Sequence, residues 1–343
     1  MAFDTLKLEK GMYGESGRSF SQVLERLDPS ENYRGTPYEH LDAFQRQLKR
    51  FDIKVKGPGS DCVDKFFATM DSVVLFPEYI SRMIRLGMED TDHLGEIVAT
   101  VTNIDSYDYR SMYSIPDDSM ISMTEVAEGA AIPETGIYVR ENVIHLKKRG
   151  RILSASYEAI RFQRLDLFSV MLRQIGAHMQ EQLMNDAVSC LIEGDYEGNN
   201  NAAPVYSPGD TTIGGSSGLL TYEALVKFWS LFHPYEMNTL IVSPDMLVKL
   251  LNMDEMKNPL AGFDFHNKGN VISPLGAKLI RNDSMAEGAI VGLDRRYALE
   301  MVKAGDVMLE YDKLIDRQIE RAAITHMTGF CKIQEDAVKV LKL

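Results

Sequence analysis

Residues 128–191 read EGAAIPETGIYVRENVIHLKKRGRILSASYEAIRFQRLDLFSVMLRQIGAHMQEQLMNDAVSCL, and several patterns follow one another within them. Ile137 to Leu146 alternates, with Ile137 and Val139 and then Val143 and Ile144 apolar, which is a strand signal. A dense basic run follows, Lys147-Lys148-Arg149-Gly150-Arg151. After a polar break, Phe168, Leu172, Ile175, Met179, Leu183, Ala187 and Leu191 fall at steps of three and four, forming one apolar stripe. Asp166 is placed to cap this helix at its start and Gly194 at its end. At 1.5 Å per residue the helix runs ~40 Å. That is long for a globular enzyme and natural for a structural spine.

Upstream, Ile97-Val98-Ala99-Thr100-Val101-Thr102 is β-branched and strand-like. Between it and Ile137 lies Asp105 to Pro133, rich in Asp, Ser, Tyr and Met. Two strands bracketing such a segment make a long hairpin or extended loop, which is marginal alone in water and must pack on something. Residues 1 to about 90 mix Gly- and Pro-containing turns with short amphipathic pieces. In one of these, Pro37 to Phe51, the residues Tyr38, Leu41, Phe44 and Leu48 stand at helical spacing. This segment is expected to have little core and to be a small domain or an arm that needs a partner surface.

Downstream, 198–218 is a loop of Gly, Asn, Ser, Pro and Thr. The pattern then predicts a helix from the Thr221 cap to Phe232, a buried strand Thr239 to Val242, and a helix Met246 to Met253 opened by Ser243-Pro244-Asp245. Strands are expected at Lys278 to Ile280, Ala289 to Leu293, Ala298 to Val302, Ile319 to Ile324 and Cys331 to Ile333. The class is α+β, with no internal repeat and no heptad array.

Bulk properties narrow the function. The 343 residues are 45% hydrophobic and 25% charged, enough for one large domain or two smaller ones. No run of about eighteen apolar residues suggests a membrane span, and the N-terminus lacks the apolar core of a secretory signal. Cys62, Cys190 and Cys331 stand in no metal-ligand spacing and read as isolated buried thiols of a reducing cytoplasm. Net charge is −13, from 37 basic and 50 acidic residues, whereas a protein that grips phosphates is basic, at least locally. The run at 147–151 reads as a solvated strand or as intersubunit ion pairs before it reads as a DNA contact. An acidic wall would also avoid sticking to DNA held inside it.

The search for chemistry finds no phosphate loop, no His-Glu-x-x-His and no EF-hand run. The seven histidines are scattered and read as structural. Gly214-Gly215-Ser216-Ser217-Gly218 matches the Gly-x-Ser-x-Gly pattern, but that motif needs a strand before it and a helix directly after, and a turn-rich loop precedes it here. Asp117-Asp118 and Glu89-Asp90 are adjacent pairs of surface or turn charge. Met112, Met120 and Met123 suit a surface that must fit several neighbours, and suit ordinary core filling as well. No catalytic residue, cofactor or metal ligand is assigned.

The order of features resembles one family. Glu128-Gly129-Ala130-Ala131-Ile132-Pro133-Glu134, the extended stretch to Lys148, Ile152-Leu153-Ser154-Ala155-Ser156-Tyr157-Glu158-Ala159-Ile160 and the long helix are similar to a passage of HK97-fold major capsid proteins of tailed bacteriophages that leads into their spine helix. Ile319-Glu320-Arg321-Ala322-Ala323-Ile324, Gly329 to Ile333 and Asp336 to Leu341 resemble their closing strands. Asn238 to Pro244 resembles the strand-to-helix step of their axial domain, and Val74 to Ile80 the end of their N-terminal arm. Each motif alone is weak; their shared order, over about three quarters of the chain, carries the resemblance.

The resemblance implies an N-terminal arm (1–95), an extended E-loop (96–146), a peripheral domain with the spine helix (147–195 and 311–343) and an axial domain (196–310). It implies a structural protein, not an enzyme, that self-assembles as pentamers and hexamers into an icosahedral virion shell around double-stranded DNA in the host cytoplasm. Scaffolding, portal and decoration proteins are further partners of such shells, and no membrane is involved. The intersubunit contacts of the E-loop would fall on Arg110, Tyr113, Met120, Met123, Pro133 and Glu134. Some capsids of this family join subunits by an isopeptide bond from an E-loop lysine. No lysine occurs between Lys65 and Lys147, so no such cross-link is expected. The first ~90 residues exceed a minimal arm and are expected to be retained. The rival readings are an encapsulin-type cellular compartment of the same fold and a soluble hydrolase built on Ser216.

Overall fold

A computed structural model of the chain describes residues 2–14, 18–106, 108–114, 125–129, 137–139, 143–195, 201–257, 275–305 and 307–343. Its contacts divide the chain into two units, 1–92 with 149–180 and 307–326, and 93–148 with 181–306 and 327–343. In chain order the strands are β1 (Val98–Asn103), β2 (Asp108–Tyr109), β3 (Met112–Ser114), β4 (Ile137–Val139), β5 (Ile144–His145), β6 (Lys147–Ser156) and β7 (Val205–Tyr206). They continue as β8 (Thr239–Val242), β9 (Lys278–Arg281), β10 (Ala289–Leu293), β11 (Leu299–Lys303), β12 (Met308–Leu314), β13 (Ile319–Lys332) and β14 (Val338–Lys342).

In the first unit, the helices Phe20–Leu27 and Ala43–Arg50 each start from a capping box, Ser19 with Gln22 and Asp42 with Gln45. The expectation of little core in this segment fails. Phe20, Leu24, Phe44, Leu48, Val63, Phe66, Phe76 and Tyr79 are buried in one cluster. Their sequence signal is weak because each short element contributes only two or three of them. A fully buried arginine ties the segment together. Arg46 Nε donates to Asp28 Oδ2 (2.7 Å), its Nη1 donates to Ser30 Oγ (3.0 Å) and Leu41 O (2.6 Å), and the guanidinium lies 4.2 Å from the Tyr33 ring centroid. A desolvated charge is tolerable only when it is paired and hydrogen-bonded in this way.

The stretch Val74 to Ile80 opens the helix Leu75–Asp90 in the middle of that core. The spine helix spans Leu165–Glu193, starting one residue ahead of Asp166, whose carboxylate accepts from the Leu167 N–H (2.9 Å). It ends at Gly194, which takes a left-handed conformation (φ +104°) as the sequence predicts. Within the first unit, two glycines let the spine helix and the helix Leu75–Asp90 touch backbone to backbone. A Cβ on Gly87 would lie 2.1 Å from Arg173 O, and one on Gly176 2.1 Å from Ile84 O. Nearby, β12 runs antiparallel to the first part of β13, from Leu314↔Ile319 to Met308↔Thr325, and β6 also pairs with β13. Alternate residues of β13 are buried from Ile319 to His326, the half-covered pattern of a strand with one face on a core.

In the second unit one sheet has the order β7-β14-β10-β8-β9. Its strands β8 and β10 are buried at every residue and, with Leu225, Phe228 and Met246 from the helices Tyr222–Ser230 and Pro244–Leu251, form a second core. Thr221 caps the first of these helices, accepting from the Ala224 N–H (3.2 Å). At the second, Ser243 Oγ donates to Asp245 (2.6 Å) instead of accepting a backbone hydrogen bond. Elsewhere in this unit β1 runs parallel to β11, and β11 antiparallel to the last part of β13. The short pairs β2/β5 and β3/β4 form two two-stranded ribbons.

Gly176→Ala is expected to lower stability by about 3 kcal/mol, the upper end for overpacking, because the clash is with a carbonyl rather than a flexible side chain. Gly59→Ala, whose Cβ would meet nothing within 4 Å, serves as the control. Urea denaturation should shift the midpoint of the first variant alone; equal midpoints would show that the helices do not touch there.

Candidate inter-subunit surfaces

The extended segment after β1 is rooted on a buried carboxylate. Glu300, on β11, is 5% exposed and accepts hydrogen bonds from Thr102 Oγ1 (2.6 Å), Tyr109 Oη (2.8 Å), Ser111 Oγ (2.7 Å) and Cys331 Sγ (3.4 Å). Those donors lie on β1, on β2, between β2 and β3, and on β13, so one side chain fixes where the ribbon leaves the sheet. Burial alone would raise the Glu300 pKa, but the hydrogen bonds from Thr102, Ser111, Tyr109 and Cys331 outweigh it and hold it below the ordinary carboxylate value. Burial pushes the Cys331 thiol up, so it donates as a neutral S–H. Sequence reasoning passed over Glu300, although a lone acid inside the apolar run Ala298-Leu299-Glu300-Met301-Val302 is the signature of a satisfied buried charge.

Beyond this root the ribbon has little support. Met112 is 62% exposed, and among the described residues no third strand joins either two-stranded pair. A second surface lies on the first unit. The spine helix turns Leu172 and Gly176 inward, while Leu167 (55%), Val170 (61%) and Met171 (58%) face out. Ile152 on β6 is also exposed. Three large apolar side chains within five residues of one helix exceed the scatter of a monomer surface and mark a contact.

Residues 140–308 match the family model of phage capsid proteins. Among solved structures, the chain resembles a virus-like particle from Pyrococcus furiosus at 12% identity, TM-score 0.50, over 77% of this chain and 98% of that one. It also resembles the capsid of a native GTA particle at 14% identity, TM-score 0.53, over 73% and 89%. The empty GTA capsid gives 15% identity and TM-score 0.53, over 74% and 90%. A comparison with curated proteins found no match.

The chain carries a phage capsid protein domain over residues 140–308 and has the HK97-like fold. It is a shell-forming structural protein, and the surfaces that matter for it are those that meet other subunits.

Of the contact residues expected in the capsid protein's E-loop, Arg110 is exposed between β2 and β3, and Tyr113 lies in β3 opposite Tyr138. Met120, Met123, Pro133 and Glu134 lie outside the described residues. In the basic run, Lys147, Lys148 and Arg151 are exposed on β6 and Arg149 is half-buried. Cys190 and Cys331 are buried as expected, but Cys62 is exposed: it precedes a short 3-10 turn. Ser216 stands in an exposed turn between the positive-φ residues Gly215 and Gly218, and the next helix begins only at Tyr222, so the strand–serine–helix elbow is not formed. Among the described residues no cluster of His, Cys, Asp and Glu is placed to hold a metal, and no helix is long and apolar enough to cross a membrane.

Glu300→Ala should destabilise the capsid protein by about 2–3 kcal/mol, since it strands buried donors that now bind a charged acceptor. The folded pKa is depressed, so this stabilisation is present above the unfolded carboxylate value and is lost as pH falls through the folded one. The gap between wild type and Glu300→Ala in thermal unfolding should therefore be full at pH 7 and shrink below about pH 4. A gap independent of pH would sink the assignment.

Proposed function

We propose that the shell is icosahedral, built of pentamers and hexamers, and assembled in the host cytoplasm around double-stranded DNA. Residues 1–95 serve as the arm, 96–146 as the E-loop, 147–195 with 311–343 as the peripheral domain and 196–310 as the axial domain. The E-loop, with Arg110, Tyr113, Met120, Met123, Pro133 and Glu134, lies on a neighbouring subunit. The observation that carries this reading is a pair of needs within one chain: a ribbon that no third strand joins among the described residues, and a helix face whose Leu167, Val170 and Met171 stand in water. Fully covering such side chains stabilises by about 1.5–3 kcal/mol each, and a closed assembly repeats that gain at every subunit.

The DNA is bound without sequence preference, and the net charge of −13 favours a wall that holds its contents by enclosure. Exposed Lys147, Lys148 and Arg151 then serve subunit pairing before DNA contact. Scaffolding, portal and decoration proteins complete the partner set.

Negative-stain microscopy of the expressed chain should show closed shells, and particles from a lysate should carry nuclease-protected double-stranded DNA. A monomer or dimer on size exclusion would overturn the reading, and shells filled with a folded protein cargo would replace DNA with the encapsulin alternative. Val170→Asp should leave the thermal midpoint within about 2 °C of wild type, as an exposed substitution costing under ~0.5 kcal/mol, yet abolish shells. Boiled in SDS, mature particles should give a monomer band alone, because the E-loop holds no lysine.

A further inference from the structure

The first unit contains a pocket of about 170 Å³ walled by Phe76 and Ile80 of the helix Leu75–Asp90 and by Phe168 and Leu172 of the spine helix. An apolar cavity of about 150 Å³ accepts a benzene ring, so this one has room for one large side chain. Two of its lining residues are exposed, Ser154 on β6 and Met171 on the spine helix, and Met171 belongs to the outward apolar row with Leu167 and Val170. Glu320 and Arg321 of β13 also line it.

Those last two residues are the reason to look further. Glu320 is only 2% exposed, and Lys313 Nζ lies 3.3 Å from its Oε1. Among the described residues neither carboxylate oxygen has a well-aligned hydrogen-bond donor, the Tyr311 hydroxyl beside them included, and the buried Nε of Arg321 donates to none. Native structures rarely leave such atoms unsatisfied. Burial, with the Glu320 carboxylate close by, pushes the Tyr311 hydroxyl pKa up, so the polar lining carries a neutral hydroxyl as well.

We infer that this pocket is a socket for one side chain of a second copy of the chain, apolar along its length and ending in a hydrogen-bonding group that meets Glu320. The inference rests on the shell reading above and adds the chemistry of one contact to it. A second copy is the occupant because the chain assembles with itself and because an exposed apolar row adjoins the mouth. A purely aliphatic occupant would leave the carboxylate with the Lys313 ammonium alone and its two oxygens without a hydrogen bond, so a polar tip is required.

The test uses the full-length chain. Ser154→Trp places a large side chain at the mouth from an exposed strand position. It should keep the wild-type circular dichroism and thermal midpoint while shell yield falls at least about tenfold. Cryo-electron microscopy of wild-type shells should show a neighbouring subunit's side chain in the socket, within hydrogen-bond distance of Glu320. An empty socket, or one filled only by water, would overturn the inference while leaving the shell intact, as would wild-type yield from Ser154→Trp. Should Ser154→Trp fail to fold, the map of wild-type shells decides alone. Failure of the wild-type chain to form shells would instead overturn the reading on which the inference stands.

Discussion

The first unit depends on one contact: two helix backbones meeting at Gly87 and Gly176. With any side chain at either position the helix Leu75–Asp90 and the spine helix would have to separate, because the atoms in the way are carbonyl oxygens held in helical hydrogen bonds. The approach brings Leu172 into one cluster with Phe76 and Ile80 and lets short helices from the N-terminal segment complete the core. It also fixes the rotation of the spine helix about its axis. With Gly176 turned inward, the residues half a turn away, Leu167, Val170 and Met171, must face out. The apolar outer row is thus a geometric consequence of the glycine crossing, set by a contact inside the subunit.

Much of this was legible in the sequence where the signal is local. The spine helix, the Thr221 cap, the strand Thr239–Val242 and the strand Ala289–Leu293 follow from periodicity and capping chemistry, which a few neighbouring residues settle. What was missed is non-local. The capping boxes of the N-terminal helices can be read from four residues each, but their shared core cannot, because it draws on elements more than a hundred residues apart. β12 alternates inward Leu309, Tyr311 and Lys313 with outward Met308, Glu310 and Asp312, and its charges disguise a strand whose partner is supplied by β13. The two expected pieces of β13 are one strand of fourteen residues, split to the eye by Thr328 and Gly329, where half-burial gives way to full burial. Glu300 and Gly176 each look like an interruption in an apolar pattern, and only the atoms across from them show that the interruption is the point of contact.

Buried charge has a common role in both units. Arg46 organises the N-terminal segment, and Glu300 gathers donors from four stretches of chain. Asp294 accepts from the Glu236 N–H (3.0 Å), Asn238 Nδ2 (2.8 Å) and Arg296 (2.8 Å); burial opposes its ionisation, but these bonds prevail and bring its pKa down to about 2. Groups of this kind contribute little net stability over a well-packed apolar substitute. They do penalise misplacement steeply, because a small displacement leaves several buried partners unsatisfied at once.

That steepness matters for a shell more than for a single molecule. An apolar contact tolerates sliding, and a tolerance of a few degrees at each interface accumulates when the same interface must close around a particle. With no lysine in the extended segment to lock neighbours covalently, the proposed packing of the ribbon on a neighbour requires every copy to present it at one angle. Apolar burial between subunits can supply the adhesion, but the angle has to come from within the subunit. The carboxylate of Glu300, whose donors come from the outgoing stretch of the ribbon and from β13, is placed to set it.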